Sequence, residues 1–289
     1  MALGRLCIVV AALFWSTSGA FTKVLTRDTG FGLNQPAVAP LQIAFFRVLF
    51  AGLVLVPLLR PRDLGFKPAM LPMMACFALM NATFVSALAL GTAANAILLQ
   101  YTAPMWMFLA SVWWLGEKAD YRSLATVLIG LAGIAVIVLG GWHGGELSVI
   151  GLGLVSGLTY GGVVICLRVL RTSSAIWLTV LNHLFSALVL VPFIYHLDLP
   201  TGPQLLWLFA YGAGQMAVPY WLMARGVRSV SAQEAGAITL LEPLLNPVWA
   251  FLISGERPTE FTLVGGAFIL SALVYRYWPG SRRPASTPS

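Results

Sequence analysis

The sequence predicts an all-α integral membrane protein with ten transmembrane helices, arranged as two inverted five-helix repeats around a central cavity. Three observations support this fold class: an apolar composition, ten long apolar segments, and a similarity between the two halves of the chain. Of the 289 residues, 59% are hydrophobic and 9% are charged, and the mean hydropathy is +0.86. Soluble domains typically carry about 25% charged residues, so the composition excludes a soluble fold of this length.

Ten segments are apolar over about 20 residues, the length that an α-helix needs to cross a hydrocarbon core about 30 Å thick. Most of the 17 Lys and Arg residues fall in short loops on the side that both termini share. By the positive-inside rule, that side is the cytoplasm. The net charge of +7 therefore reflects orientation in a membrane, and nucleic-acid binding is not expected. The predicted spans are residues 4–26, 37–59, 68–90, 93–116, 119–140, 148–170, 174–196, 203–225, 232–254 and 259–278.

The two halves of the chain have similar sequences. Residues 49–57 read LFAGLVLVP, and residues 184–192 read LFSALVLVP. The corner Gly116-Glu117-Lys118 after the fourth span corresponds to Gly255-Glu256-Arg257 after the ninth. A chance match between apolar segments explains one such similarity but not several in register, so we predict a duplication.

The predicted duplication also fixes the relative orientation of the halves. Each half has five spans, an odd number, so the second half enters the membrane upside down relative to the first. Inverted repeats are typical of secondary transporters, whose substrate sites lie near the membrane midplane. The predicted organisation is a first repeat at residues 1–142, a second at 143–278 and a flexible cytoplasmic tail at 279–289.

Several motifs occur together in this chain. They are Phe14-Trp15 followed by Lys23, then Phe46-Arg47, and above all residues 235–256, which contain Leu241-Glu242-Pro243 and end in Gly255-Glu256. On these residues, the chain resembles the EamA-type drug/metabolite transporter superfamily over its whole length, and within it bacterial aromatic amino acid exporters. The resemblance implies ten helices in two halves, transport of small metabolites, often outward, and a bacterial inner membrane.

Polar or amphipathic residues lie near the middle of eight predicted spans. Such groups are costly in a bilayer core and usually face the bundle interior or a water-filled cavity. Aromatic rings there would stack on an apolar substrate side chain while amides bond its polar end, although core or lipid packing is an alternative for each ring. The predicted substrate-binding residues are Trp15, Asn81, Gln100, Tyr101, Trp106, Tyr160, His183, Gln215 and Glu242.

Three ionisable residues at this depth each have a functional and a structural interpretation. Glu242 either compensates a substrate ammonium or carries a coupling proton, or it bonds the backbone freed by Pro243 or pairs with Arg47. Arg47 either binds a substrate carboxylate through its planar donors or, as is more common for such a family arginine, is structural. His183 either contacts substrate or relays protons, or it hydrogen-bonds between helices.

The sequence contains no set of nucleophile, base and orienting residue, no phosphate loop and no cluster at metal-ligand spacing. Neither an enzyme, nor a cofactor, nor a metal site is therefore predicted. The leading hypothesis is a secondary transporter that exports aromatic or hydrophobic amino acids and related metabolites by alternating access. A drug or organic-cation exporter and a non-transporting membrane scaffold are the alternatives. The expected partners are a small-molecule substrate and membrane lipid, and the sequence sets no oligomeric state.

Overall fold

The computed structural model describes residues 2–113, 121–144, 146–230 and 232–277. Within these ranges the protein is helical and contains no β-strand. The predicted corner Gly116-Glu117-Lys118 and the predicted tail at 279–289 lie outside the described residues. The helices are α1 (Ala2–Ser16), α2 (Ser18–Thr26), α3 (Pro40–Leu55), α4 (Met70–Leu90), α5 (Ala93–Gln100), α6 (Ala103–Trp113), α7 (Tyr121–Gly144), α8 (Leu147–Val169), α9 (Ala175–Ile194), α10 (Gly202–Ala210), α11 (Val218–Gly226), α12 (Ala232–Thr239), α13 (Leu241–Ser254) and α14 (Glu260–Tyr277).

In the described part of the chain, seven helical segments are long and apolar enough to cross a membrane. The protein is therefore a multi-pass membrane protein. The other three predicted spans differ in detail: 93–116 is broken and runs into undescribed residues, 203–225 is interrupted, and 259–278 contains the 18-residue helix α14. That the chain crosses the membrane ten times stays a prediction. The seven segments are Ala2–Thr26, Pro40–Leu58, Met70–Leu90, Leu124–Trp142, Leu147–Val169, Ala175–Ile194 and Glu234–Ser254.

Two helix breaks follow from prolines. A proline has no N–H for the carbonyl four residues earlier, and its ring crowds that carbonyl. Helix α5 ends at Gln100, four residues before Pro104, and α12 ends at Thr239, four residues before Pro243. Pro104 and Pro243 therefore end helical segments near the middle of the bundle, whereas Pro192 and Pro247 lie inside α9 and α13.

Two further interruptions have other causes. Between α1 and α2, the hydroxyls of Ser16 and Thr17 donate to the carbonyls of Leu13 and Phe14, which competes with regular helix bonding. Between α10 and α11, Tyr211–Ala217 forms a π-helical segment. Such segments are frequent at functional sites.

Polar contacts between loops define the two ends of the bundle. At one end, Arg5 pairs with Glu234, and Lys67 Nζ donates to Thr172 Oγ1 across 2.7 Å. We call this the basic end, because it also carries the loop residues Arg60, Arg62, Arg171 and Arg228. At the opposite end, Gln204 Nε2 donates to Leu33 O across 2.9 Å, beside the loop 195–201.

Candidate functional site

A cavity of about 550 Å³ lies inside the bundle and reaches the basic end. Its inner wall includes Trp15, Arg47 and Glu242, from the three helices α1, α3 and α13. At its mouth lie Arg171 and Val227, in or beside the loops of the basic end. The residues that line it include none from the described loops 27–39, 91–92, 195–201 and 255–259 of the opposite end.

The structure brings seven of the nine predicted site residues to this cavity. The other two, Asn81 and Trp106, lie outside its wall. Helix breaks lie beside several of the seven: Gln100 and Tyr101 at the end of α5, Trp15 at the end of α1, and Gln215 in the π-helical segment. The seven residues are Trp15, Gln100, Tyr101, Tyr160, His183, Gln215 and Glu242.

Asn81 and Trp106 make structural contacts instead. Asn81 is fully buried, its Oδ1 accepts a hydrogen bond from Arg47 Nε across 3.0 Å, and its Nδ2 donates to Ala44 O across 3.0 Å. Trp106 Nε1 donates to Thr102 Oγ1 across 2.9 Å, and Thr102 lies just before α6, the helix that contains Trp106. A polar side chain at mid-depth can hydrogen-bond to a ligand or to a neighbouring helix. Its spacing along the chain does not distinguish these two roles.

The guanidinium of Arg47 is fixed at the deep wall of the cavity. Besides the bond to Asn81, Nη1 donates to the Tyr211 hydroxyl across 2.9 Å. The rings of Phe84 and Tyr211 lie 5.7 Å and 5.2 Å from the guanidinium carbon, within cation–π range. These contacts support the structural interpretation of Arg47. The other terminal nitrogen of Arg47, Nη2, takes part in neither hydrogen bond, so the guanidinium also keeps a donor that can bind a ligand.

Glu242 bonds Tyr101 and not the groups that the sequence suggested. The Tyr101 hydroxyl lies 2.7 Å from Glu242 Oε2 and 2.9 Å from the carbonyl of Thr239, the acceptor that Pro243 leaves free. The hydroxyl has a single proton, which these two oxygens share, so Tyr101 lies between Glu242 and the freed carbonyl. The predicted pairing with Arg47 is not found, since the ion pairs among the described residues do not include Glu242.

A row of rings forms part of the cavity wall. The Tyr220 ring lies edge-on to both Trp15 and His183, with ring centroids 5.3 Å away in each case. The ring of Phe77 lies 4.9 Å from that of His183. Tyr220 and Phe77 were not among the predicted site residues. Phe77 precedes Asn81 by four residues in α4, yet only Phe77 lines the cavity, so helical spacing from a predicted residue could not identify it.

Two side chains of the wall are oriented by backbone carbonyls. Gln215 Nε2 donates to Trp15 O across 3.1 Å, which leaves Oε1 on the other side of the amide. His183 Nδ1 lies 2.7 Å from Thr179 O within α9. Since a carbonyl only accepts, Nδ1 carries the proton and Nε2 is left as an acceptor. Neither Gln215 Oε1 nor His183 Nε2 has a hydrogen-bond partner in the described structure.

The end of the bundle opposite the cavity mouth is closed by a buried ion pair. Lys23 Nζ lies 2.8 Å from Glu256 Oε2 and also donates to Gly91 O. The other oxygen of Glu256 accepts the backbone N–H of Ala93 across 2.6 Å. The sequence marked Lys23 and Gly255-Glu256 as family motifs but gave no signal that they meet.

Comparison with known proteins shows one consistent family. Residues 2–139 and 147–277 match the model of the EamA-like transporter family. An uncharacterized transporter of Archaeoglobus fulgidus is 29% identical over 279 residues, covering 95% of this chain and 96% of the relative. The S-adenosylmethionine uptake transporter of Rickettsia felis is 21% identical over 290 residues, covering 89% of this chain and 88% of the relative.

A solved crystal structure has the same fold, with a TM-score of 0.61 and 19% identity over 94% of this chain and 96% of that one. The names of these relatives do not support the narrower resemblance to aromatic amino acid exporters. They do agree on membrane transport. Since the family model matches most of its length, the chain belongs to the EamA-like transporter family and is a multi-pass membrane transporter.

Proposed function

We propose that this transporter moves an aromatic or hydrophobic amino acid, or a related small metabolite, outward across a bacterial inner membrane. The observation that carries this proposal is the composition of the inner cavity wall, where the cationic Arg47 and the anionic Glu242 lie among aromatic rings, away from Arg171 at the mouth. An amino acid carries a carboxylate, an ammonium and a side chain. Arg47 offers a donor to the first, Glu242 an opposite charge to the second, and the rings of Trp15 and Tyr220 a surface to the third.

We further propose that the chain crosses the membrane ten times, in inverted halves at 1–142 and 143–278. The family model matches two successive segments of the chain, which supports two related halves. The contacts near the helix ends support spans that cross the membrane in alternating directions. The N-terminal part of α1 meets α12 at the basic end, whereas α10 meets the loop 27–39 at the opposite end. By the positive-inside rule, the basic end faces the cytoplasm, and we propose that both termini lie on that side.

The position of the cavity mouth and the closed opposite end support alternating access. Its mouth lies at the basic end, so a cytoplasmic substrate enters, while the Lys23–Glu256 pair closes the opposite end. Release on that side requires α2 and α13 to separate there. Discontinuous helices around a midplane site are typical of secondary transporters, and the breaks at Thr17, Tyr101 and Leu240 give these helices points at which to bend.

Efflux from liposomes reconstituted with the purified full chain tests the proposal. Labelled tryptophan, phenylalanine and leucine are loaded, and efflux is followed with and without a proton gradient. We expect saturable efflux that falls in Trp15→Ala and Gln215→Ala. The matched control is Trp142→Ala, because Trp142 is 69% exposed on α7 and outside the cavity. Normal efflux by both cavity variants would refute this cavity as the substrate path.

An organic-cation exporter is the second candidate, and Glu242 favours it. In the cavity wall this carboxylate has no ion-pair partner among the described residues, so it can offset the charge of a cationic ligand. A cationic dye in the same liposomes distinguishes the candidates. Dye movement without amino acid efflux would assign the protein to cation export.

A further inference from the structure

Unpaired hydrogen-bonding atoms are concentrated in the cavity. In the described part of the chain, six buried side-chain nitrogen or oxygen atoms have no hydrogen-bond partner, and three of them belong to cavity-lining residues. These are Asn182 Oδ1, His183 Nε2 and Gln215 Oε1, in residues that are 4%, 0% and 3% exposed. Buried polar atoms in folded proteins are nearly always paired with protein, water or a ligand, so this concentration marks the part of the wall where the donors of a ligand would find acceptors.

A ligand that bonds to these unpaired atoms must donate hydrogen bonds to them. Gln215 and His183 are each oriented by a carbonyl, Trp15 O and Thr179 O respectively, and both therefore present an acceptor. A carboxylate has no donor for either atom. An ammonium group has three donors and no acceptor, which matches this part of the wall.

Aromatic rings lie beside these acceptors. Gln215 is bonded to the backbone of Trp15, and His183 is edge-on to Tyr220, whose ring in turn contacts Trp15. Aromatic faces attract ammonium groups at close range. Arg47 and the half-buried Glu242 also lie in the wall and have opposite signs.

We infer that the cavity recognises its substrate by a protonated primary amine, held by Gln215 and His183 beside the Trp15 and Tyr220 rings. The substrate class is then an amine on an aromatic or apolar body, with or without a carboxylate. The inference rests on the proposed function, because it concerns the molecule that this cavity takes up for transport.

Equilibrium binding of three related compounds to the purified full chain tests the inference. Labelled tryptamine carries the amine alone, tryptophan carries both charged groups, and indole-3-propionate carries the carboxylate alone. We expect tryptophan to displace tryptamine and indole-3-propionate to do so at least about tenfold less well, since it cannot donate to the two acceptors. Equal or better displacement by indole-3-propionate, or no binding of tryptamine, would overturn the inference.

Two variants locate the amine. His183→Phe keeps the ring between Phe77 and Tyr220 but removes the acceptor, and Gln215→Leu removes the amide. We expect each to weaken tryptamine binding about tenfold without weakening indole-3-propionate. The matched control is His196→Phe, because His196 is exposed in the loop of the opposite end. Unchanged tryptamine binding in His183→Phe and Gln215→Leu would contradict the assignment.

A second variant keeps the test independent of folding. Gln215→Glu loses the donor to Trp15 O but retains an acceptor oxygen and gains a negative charge, so we expect it to bind tryptamine more tightly than Gln215→Leu does and to elute as an intact protein on size exclusion. Weaker binding by Gln215→Glu would contradict the acceptor role. Tryptophan efflux is measured separately: preference for the amine without any efflux refutes only the transport proposal, and efflux without that preference refutes only this inference.

Discussion

Lys23 Nζ lies 2.8 Å from Glu256 Oε2, and the two side chains are 0% and 6% exposed. The contact is a buried ion pair. Lys23 also bonds the carbonyl of Gly91, and Glu256 bonds the N–H of Ala93. One pair thus joins α2, the turn between α4 and α5, and the end of α13. It lies at the bundle end opposite the cavity mouth.

The first prediction concerns the energetics of this pair. Removing one partner leaves a buried charge uncompensated, which typically costs about 3–5 kcal/mol. We expect Lys23→Met and Glu256→Gln each to lower the free energy of unfolding by about that amount, and the double variant to lose much less than the sum. Denaturant unfolding of the four proteins in one detergent gives the coupling. Additive losses would show that the two charges do not stabilise one another.

The second prediction concerns glycines of α8. A Cβ at Gly157 would collide with the backbone oxygen of Leu99, whereas a Cβ at Gly151 meets nothing within 4 Å. We expect Gly157→Ala to lower the free energy of unfolding by about 1–3 kcal/mol, because a backbone atom cannot move aside cheaply. Gly151→Ala is the matched control, and it should leave stability unchanged or raise it by up to about 1 kcal/mol. Equal thermal midpoints for the two variants would contradict the close approach of α5 and α8.

The third prediction separates two tryptophans that the sequence could not distinguish. Trp15 lines the cavity, and Trp106 does not. We expect Trp15→Ala to lower tryptophan efflux at least about tenfold, the effect typical of a buried aromatic contact with a ligand. Trp106→Ala should retain efflux and lose stability only. Efflux measured at equal amounts of reconstituted protein checks this, and a larger loss in Trp106→Ala would place the substrate elsewhere.

The fourth prediction concerns Tyr101 and Glu242. The Tyr101 hydroxyl contacts both Glu242 Oε2 and the carbonyl of Thr239. Tyr101→Phe removes the hydroxyl from both acceptors, so we expect the free energy of unfolding to fall by about 1–3 kcal/mol. Glu242→Gln keeps an acceptor for the hydroxyl and should be less destabilising, but it should weaken tryptamine binding because the charge is lost. Unfolding and binding of both variants are the measurements. Full tryptamine affinity in Glu242→Gln would remove this carboxylate from recognition.

The membrane class, the family and the depth of the polar residues could be predicted from the sequence, because each depends on residues within one segment of the chain. Hydropathy identified the membrane class, and motifs such as Leu241-Glu242-Pro243 identified the family. The depth of polar residues in their spans selected Gln100, His183 and Gln215, which line one cavity. Each of these signals is carried by the composition, spacing or position of residues within one segment.

The tertiary structure decided what each of these side chains contacts. Asn81 and Gln215 are both amides at mid-depth, yet the rotation of α4 turns the first towards Arg47, while Gln215 lines the cavity. The meeting of Lys23 with Glu256, far apart in the chain, depends on how α2 packs against α13. The sequence by itself determined that polar groups lie in the membrane core, because their position within each apolar segment sets their depth. The free-energy cost of burying a polar group depends on that depth. Which of them bind one another and which are left for a ligand depends on helix rotation and packing, which only the assembled bundle sets.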